Sequence, residues 1–384
     1  MGRSTILIFG VTVVVCLAGI ARAQQPDPAP SARAELRAWW AHYRDTFIME
    51  DGRVARPEHG GDTVSEGQAY AMLSAALLAD RETFDRVWQW THAHLSRADR
   101  FNDHLLAWHW RDGEVADWNA ASDADLDALF ALLLAWQLWR DESHKRAALH
   151  MAADVLEHEV VETELGLILL PGTWGDEDPA RIVINPSYLS PAAFGTLFEL
   201  TGDPRWRELR ETTWAVWARS SEQLARTDGV GLAPDWCAVT EDGDLVHAKG
   251  RSSAYGWEAL RVPMRASLDL LMMDSVPSNR FLIRRPLPFF RAQFQEGATH
   301  LAATYAYWGS PADPSESLAM SATALFAFEA TGLRPPQQLV ASFERQRRNE
   351  HFQRNYYAQS LLFYPLALRA GVFDSFGTDI LQRR

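Results

Sequence analysis

The stretch Thr63-Val64-Ser65-Glu66-Gly67-Gln68-Ala69-Tyr70 puts one carboxylate among small and apolar residues, with no Lys or Arg in the window. A buried carboxylate without a cation is costly when ionised and holds its proton to higher pH, so Glu66 is a candidate proton donor. A donor needs an acceptor. Asn119-Ala120-Ala121-Ser122-Asp123-Ala124-Asp125-Leu126-Asp127 supplies three more acids at the head of the apolar run Ala128 to Trp139. Three carboxylates at every second position cannot share one helical face, so they must do different jobs. Purely local roles are also open. Ser122 with Asp125, and Thr63 with Glu66, fit helix capping boxes, and Asp123 suits the positive end of a helix dipole.

The elements that position these acids read as helix after helix, with apolar residues at three- and four-residue steps and few alternating β-branched runs. The spacing predicts helices near 32–44, 66–79, 81–95, 123–139, 143–158, 191–200, 204–221, 256–273, 279–297, 316–330, 336–348 and 355–369. Gly, Pro, Asn and Asp mark the breaks between them. Twelve paired helices in one domain, residues 32–384, imply an all-α chain closed into an (α/α)6 barrel whose longer loops form a cleft at one end. No fixed-period repeat supports a solenoid instead.

Residues 1–23 have the basic start, apolar run and Ala21-Arg22-Ala23 pattern of a secretory signal, and 24–31 form a Pro-rich leader. A secreted or periplasmic protein is therefore expected, with no stable membrane insertion, since no later run approaches 18 apolar residues. Cleavage near Ala23 removes Cys16 and leaves Cys237 alone, so no internal disulfide can form. The formal charge of −13 becomes −15 once Arg3 and Arg22 are lost, which argues against nucleic acid and anionic lipid as partners. The chain carries 16 Trp, several beside polar or turn residues: Trp108, Trp110 and Trp118, then Trp174, then Trp236. Half-exposed aromatic faces suit the apolar faces of sugar rings, so a carbohydrate site is expected beside the bland reading of Trp as core.

The segments "SEGQAYAML" and "ASDADLDALFALLLAWQLW" resemble glycoside hydrolase family 8, the bacterial endoglucanases that include the cellulase accompanying cellulose synthesis. Further likeness lies in "INPSYLSP", "GLAPDW", "ALRVPMR" and "NYYAQSLLFYP", so it spans residues 32 to 369. The resemblance implies an (α/α)6 barrel, cleavage of β-1,4 glycosidic bonds with inversion, Glu66 as general acid, and Asp123 as the group that binds and helps distort the sugar. Inversion needs a second carboxylate about 6.5–9.5 Å from the first, activating water on the opposite face of the ring. Where the family has Tyr, Asp, Ala and an Arg three residues after the Asp, this chain has Trp257-Glu258-Ala259-Leu260-Arg261. Glu258 is thus the expected base, with Arg261 as its countercharge. One extra methylene moves its oxygens by about 1.5 Å, and a misplacement of about 1 Å costs on the order of a hundredfold in rate. Asp127 is the alternative base, and a plain i,i+3 ion pair with Arg261 on a helix surface is the alternative use of Glu258.

Ala358 stands where family members often have Asp, while Tyr356 and Tyr357 are expected to line the cleavage subsite. Trp108, Trp174, Tyr188, Trp236 and Arg261 complete the expected substrate contacts, and the substrate is a β-glucan. Xylan, chitosan and mixed-linkage glucan are alternatives, as is a weakly active glucan-binding protein. No cofactor or metal is expected. His92, His94, His104 and His109 lack the spacing of a metal site. A monomer is expected.

Overall fold

The computed structural model describes residues 30–225 and 230–375, so the signal and most of the leader lie outside the described residues. The first half contains α1 (Pro30–Phe47), α2 (Ser65–Leu77), α3 (Arg81–Leu95), a short α4 (Ala98–Phe101), α5 (Ser122–Trp139), α6 (Glu142–His158) and α7 (Pro191–Thr201). Then come α8 (Pro204–Ala225), α9 (Arg261–Met273), α10 (Val276–Arg284), α11 (Pro286–Gln295) and α12 (Leu318–Ala330). A third group is α13 (Gln337–Gln346), a short α14 (Glu350–Gln353) and α15 (Tyr356–Arg369). Helices α2, α5, α7, α9, α12 and α15 touch in that order and close back on α2, forming an inner ring of six. Outside it, α3 packs on α2, α6 on α5, α8 on α7, α10 on α9, α13 on α12 and α1 on α15. This is the expected (α/α)6 barrel.

Sequence decides which helix goes inside. In α2 every residue from Gly67 to Leu77 is buried, and in α12 every residue from Leu318 to Phe328, because these segments are apolar or small all round. The outer α3 buries only a stripe, including Phe84, Val87, Trp90 and Leu95, and leaves its charged face to water.

Some expected boundaries are corrected. Pro30 and Ser31, read as leader, already belong to α1, since Pro is tolerated in a first helical turn. The helix expected at 256–273 begins at Arg261. The helix expected at 279–297 is two, broken between Arg285 and Pro286, because the residue before a proline is pushed out of the helical region. Among the described residues ten short strands, which the periodicity did not reveal, decorate the barrel in small antiparallel sheets. Strands β1 (Thr63–Val64), β2 (His109–Arg111) and β3 (Glu114–Asp117) form one; β4 (Val160–Thr163) pairs with β5 (Gly166–Leu169). Strand β7 (Cys237–Thr240) lies between β6 (Arg181–Ile184) and β8 (Leu245–Val246), and β9 (Ala302–Tyr305) pairs with β10 (Pro311–Glu316).

Neither capping box forms. The residue capping α2 is Val64, and Thr63 instead donates its hydroxyl to the Val54 carbonyl at 2.8 Å. Ser122 donates to the Leu170 carbonyl at 2.6 Å. Asp125 accepts the Leu106 N–H at 2.8 Å, well outside its own helix. Its other oxygen, and both oxygens of the fully buried Glu159, have no hydrogen-bond partner. Burial raises the pKa of both groups well above the carboxylate range, and at Glu159 the charge of Asp125 adds to the rise. A raised folded pKa means the native state binds more protons than the unfolded chain above the ordinary value of 4.5, so stability falls as pH rises from there. Glu159→Gln is expected to flatten that decline. Thermal midpoints between about pH 5 and pH 8 check it, and an unchanged slope would show that Glu159 does not contribute.

Candidate active site

Strand β1 pairs with β2, matching Val64 with His109, and the Ser65 N–H donates to the Trp108 carbonyl at 2.9 Å. This pairing sets Glu66 in the first turn of α2 beside Trp108. Gln68 ties the same turn down: its side chain accepts the Val54 N–H at 2.5 Å and donates to Thr91 at 2.8 Å. Gly67 is small for a reason. A Cβ there would lie 3.0 Å from the Tyr356 hydroxyl, which is buried against it.

Helix α5 supplies Asp123 and Asp127, one turn apart on the face turned toward α9, and α9 answers with Arg261 and Arg265, also one turn apart. Arg261 Nη1 donates to Asp123 Oδ2 at 2.8 Å, and Arg265 Nη2 donates to Asp127 Oδ2 at 2.9 Å. Arg265 Nη1 also donates to Asp127 Oδ1. Both arginines are fully buried. Asp127, the alternative base, is therefore paired deep in the barrel and does not line the cleft.

Arg261 is the hub of the site. Its Nη1 donates to Glu66 Oε2 as well as to Asp123, and its Nη2 donates to Glu258 Oε2 and, at 3.0 Å, to the Ser187 hydroxyl. Two earlier readings are corrected by this. Glu66 has a cation after all, brought from 195 residues away in sequence. The Glu258–Arg261 pair exists, but Arg261 is buried beneath the cleft and is no part of a surface bridge. The two glutamates sit on different nitrogens of one guanidinium, which separates them. Their side chains are 22% and 33% exposed, whereas that of Asp123 is 3% exposed. Glu258 Oε2 also accepts from Asn185 Nδ2 at 3.2 Å.

Burial pushes the Glu66 pKa up to about 7; Arg261 opposes this, and the negative charges of Asp123 and Glu258 add to it. Burial likewise raises Asp123 to about 6, again against Arg261. At the rim, burial would raise Asp62, yet Arg56, His109 and Arg111 hold it down at about 2. His109, one of the clustered histidines, donates there at 2.9 Å, and His104 meets Asp154 at 2.7 Å.

The cleft has a volume of 530 Å³ and is lined by Glu66, Asp123, Glu258 and Arg261, with Trp108, Tyr188, Tyr356 and Tyr357 on its walls. Of the expected contacts, Trp174 and Trp236 lie outside this lining. They continue from it: Trp236 meets Tyr188 edge-on at 5.9 Å and Trp174 at 5.9 Å, and the Arg251 guanidinium covers both rings. Trp110 packs against Trp90 and Arg53, away from the cleft. Trp118 lines a separate hollow with Phe101. Sequence reasoning passed over Arg56, Glu58, His59 and Asn355, which also line the cleft, and took Trp257 only as a replacement for Tyr. Trp257 is 51% exposed at the cleft edge, and its place beside Glu258 in sequence was the available signal. Among the described residues, His, Cys, Asp and Glu side chains gather closely enough for a metal ion only at Asp154, Glu157 and His158, which do not line the cleft.

Comparison with known proteins agrees with this geometry. The pattern of Glycosyl hydrolases family 8 matches residues 7–300. A probable endoglucanase of Novacetimonas hansenii is 32% identical over 242 residues, covering 62% of this chain and 68% of its own length. The chain thus spans about two thirds of that relative. The solved structure of an endo-β-1,4-glucanase from Acetobacter xylinum superposes with a TM-score of 0.70 at 25% identity, covering 89% of this chain and 99% of that one. A cold-adapted family 8 xylanase superposes with a TM-score of 0.71 at 18% identity, over 90% and 92% of the two chains, which speaks for the fold alone. With half the chain and more matched to one family pattern, and with the barrel and the acid-lined cleft in place, the chain belongs to family 8 of the glycosyl hydrolases.

Proposed function

We propose that this protein is an endo-β-1,4-glucanase that cuts internal bonds of a β-glucan with inversion of configuration. The observation that carries the reading is the convergence of Glu66, Asp123 and Glu258 on one buried arginine at the floor of an open, aromatic-walled cleft. An open cleft accommodates a chain that continues past the cleavage point in both directions, as internal cleavage requires.

In this reading Glu66, protonated below about pH 7, donates its proton to the glycosidic oxygen as the C1–O bond breaks. Glu258 takes a proton from water as that water's oxygen bonds to C1 from the opposite face. Acid and base acting from opposite faces of the ring give inversion. Asp123 accepts hydrogen bonds from the hydroxyls of the distorted ring, and Tyr188, Trp108 and Trp257 offer faces for neighbouring sugars. Action on a polysaccharide outside the cytoplasm is part of the proposal. It is supported by the signal-like sequence of residues 1–23.

Release of reducing ends from carboxymethyl cellulose, with the anomer of the first product followed by proton NMR, tests the proposal. An α-anomer as first product is expected; a β-anomer, or binding without release, would overturn it. Glu258→Gln is expected to lower kcat by on the order of 10²–10⁴-fold. Glu258→Asp shortens the base by one methylene and is expected to cost about a hundredfold if the backbone is set for Glu. Wild-type activity in Glu258→Gln would place the base elsewhere.

A further inference from the structure

The turn from Gly256 to Leu260 carries Glu258 and delivers the chain into α9. The N–H groups of Gly256, Glu258 and Ala259 all converge on Asp235 Oδ1, at 3.0, 3.0 and 2.8 Å. Asp235 comes from the segment entering β7, the central strand of its sheet, and is 6% exposed. Its own backbone is pinned, with the Asp235 N–H donating to Ala254 O at 2.6 Å and the Trp236 N–H to Ser252 O at 3.0 Å. The approach is close enough to require glycine: a Cβ on Gly256 would stand 2.7 Å from Asp235 Oδ2. From the other side, the Tyr357 hydroxyl on α15 donates to the Trp257 carbonyl at 2.6 Å.

We propose that Asp235 is a positioning residue for the proposed base, its Oδ1 gathering the three N–H groups that set the height of the turn and hence the reach of Glu258. The proposal rests on the reading of Glu258 as base. A base with one methylene more than its family counterpart must be carried at the right depth by its backbone, and a shift of about 1 Å is enough to cost on the order of a hundredfold. The anchor works as a hydrogen-bond acceptor, so Asn can replace it and Ala cannot.

The test is kcat and KM on carboxymethyl cellulose for Asp235→Ala, Asp235→Asn and Gly256→Ala, with active sites counted by calorimetric titration with cellohexaose. Asp235→Ala should lose about a hundredfold in kcat per binding site with KM within about threefold, and Asp235→Asn should recover most of it. Gly256→Ala, which crowds Oδ2 but keeps the acid, should lower kcat with KM likewise unchanged, and it carries the test should Asp235→Ala not fold. A merely structural role would reduce the number of binding sites and leave kcat per site alone. Asp235→Asn as inactive as Asp235→Ala would mean that the carboxylate itself takes the proton. Wild-type kcat per site in either Asp235→Ala or Gly256→Ala would likewise sink the proposal. Failure of the base reading is seen separately, as retained activity in Glu258→Gln.

Discussion

Glu66→Gln is expected to lower kcat on a soluble β-1,4 glucan by about 10³-fold, within the range that general acid catalysis contributes, while cello-oligosaccharide binding stays nearly unchanged. Gln has the size of the protonated acid and lacks only the transferable proton, so the loss reports chemistry. The pH profile supplies a second readout. Burial, with Asp123 and Glu258 adding their charge, holds the wild-type proton up to about pH 7. The active form is the protonated one, so wild-type kcat is expected to fall as pH rises through about 7. Steady-state kinetics across that range check both statements. If Glu66→Gln retained wild-type kcat, the proton would have to come from another group, and the cleft lining offers Asp123, raised to about 6, as the next donor to mutate.

Arg261→Ala is expected to cost about 3–5 kcal/mol of folding stability at neutral pH, the scale for removing one partner from a buried ion pair. Arg261 is fully buried and bonded to three carboxylates, and among the described residues no other arginine is bonded to any of them. Without it the acids must take up protons or share charge in a confined space. Because protonation relieves the repulsion, the loss should shrink as pH falls toward the ordinary carboxylate range. Arg261→Lys should recover only part, since one ammonium cannot present two nitrogens in a fixed plane to three acceptors. Urea denaturation at neutral and acidic pH measures all of this. A midpoint equal to wild type in Arg261→Ala would mean that the carboxylates are held apart by other means.

The inner helices were legible because they are apolar or small all round, as in Gly67 to Leu77, and the outer ones because Phe84, Val87, Trp90 and Leu95 form a stripe. Local pattern carries that information. The short strands were not legible: two to six residues of pairing hold because the barrel brings loops together, and β1 with β2 is an example. The same holds for caps. Thr63 and Ser122 have the right chemistry for capping boxes, but partners such as Val54 and Leu170 lie closer in the folded chain.

By itself, the sequence laid out the paired helices and marked Glu66 as an acid without a nearby cation, because residue type and helical period are local properties; the roles of Asp123 and Glu258 came from the resemblance to family 8. Only the tertiary structure decided that Asp127 is sequestered by Arg265, that Arg261 joins the three acids from below, and that Asp235 holds the turn bearing Glu258. Apart from Glu258 and Arg261, three residues apart, those pairings span tens to hundreds of residues, and their energetics depend on burial, which no window of sequence contains. A carboxyl group in water is a poor proton donor at neutral pH; Glu66 becomes a better one where the closed ring of helices removes most of the water around it.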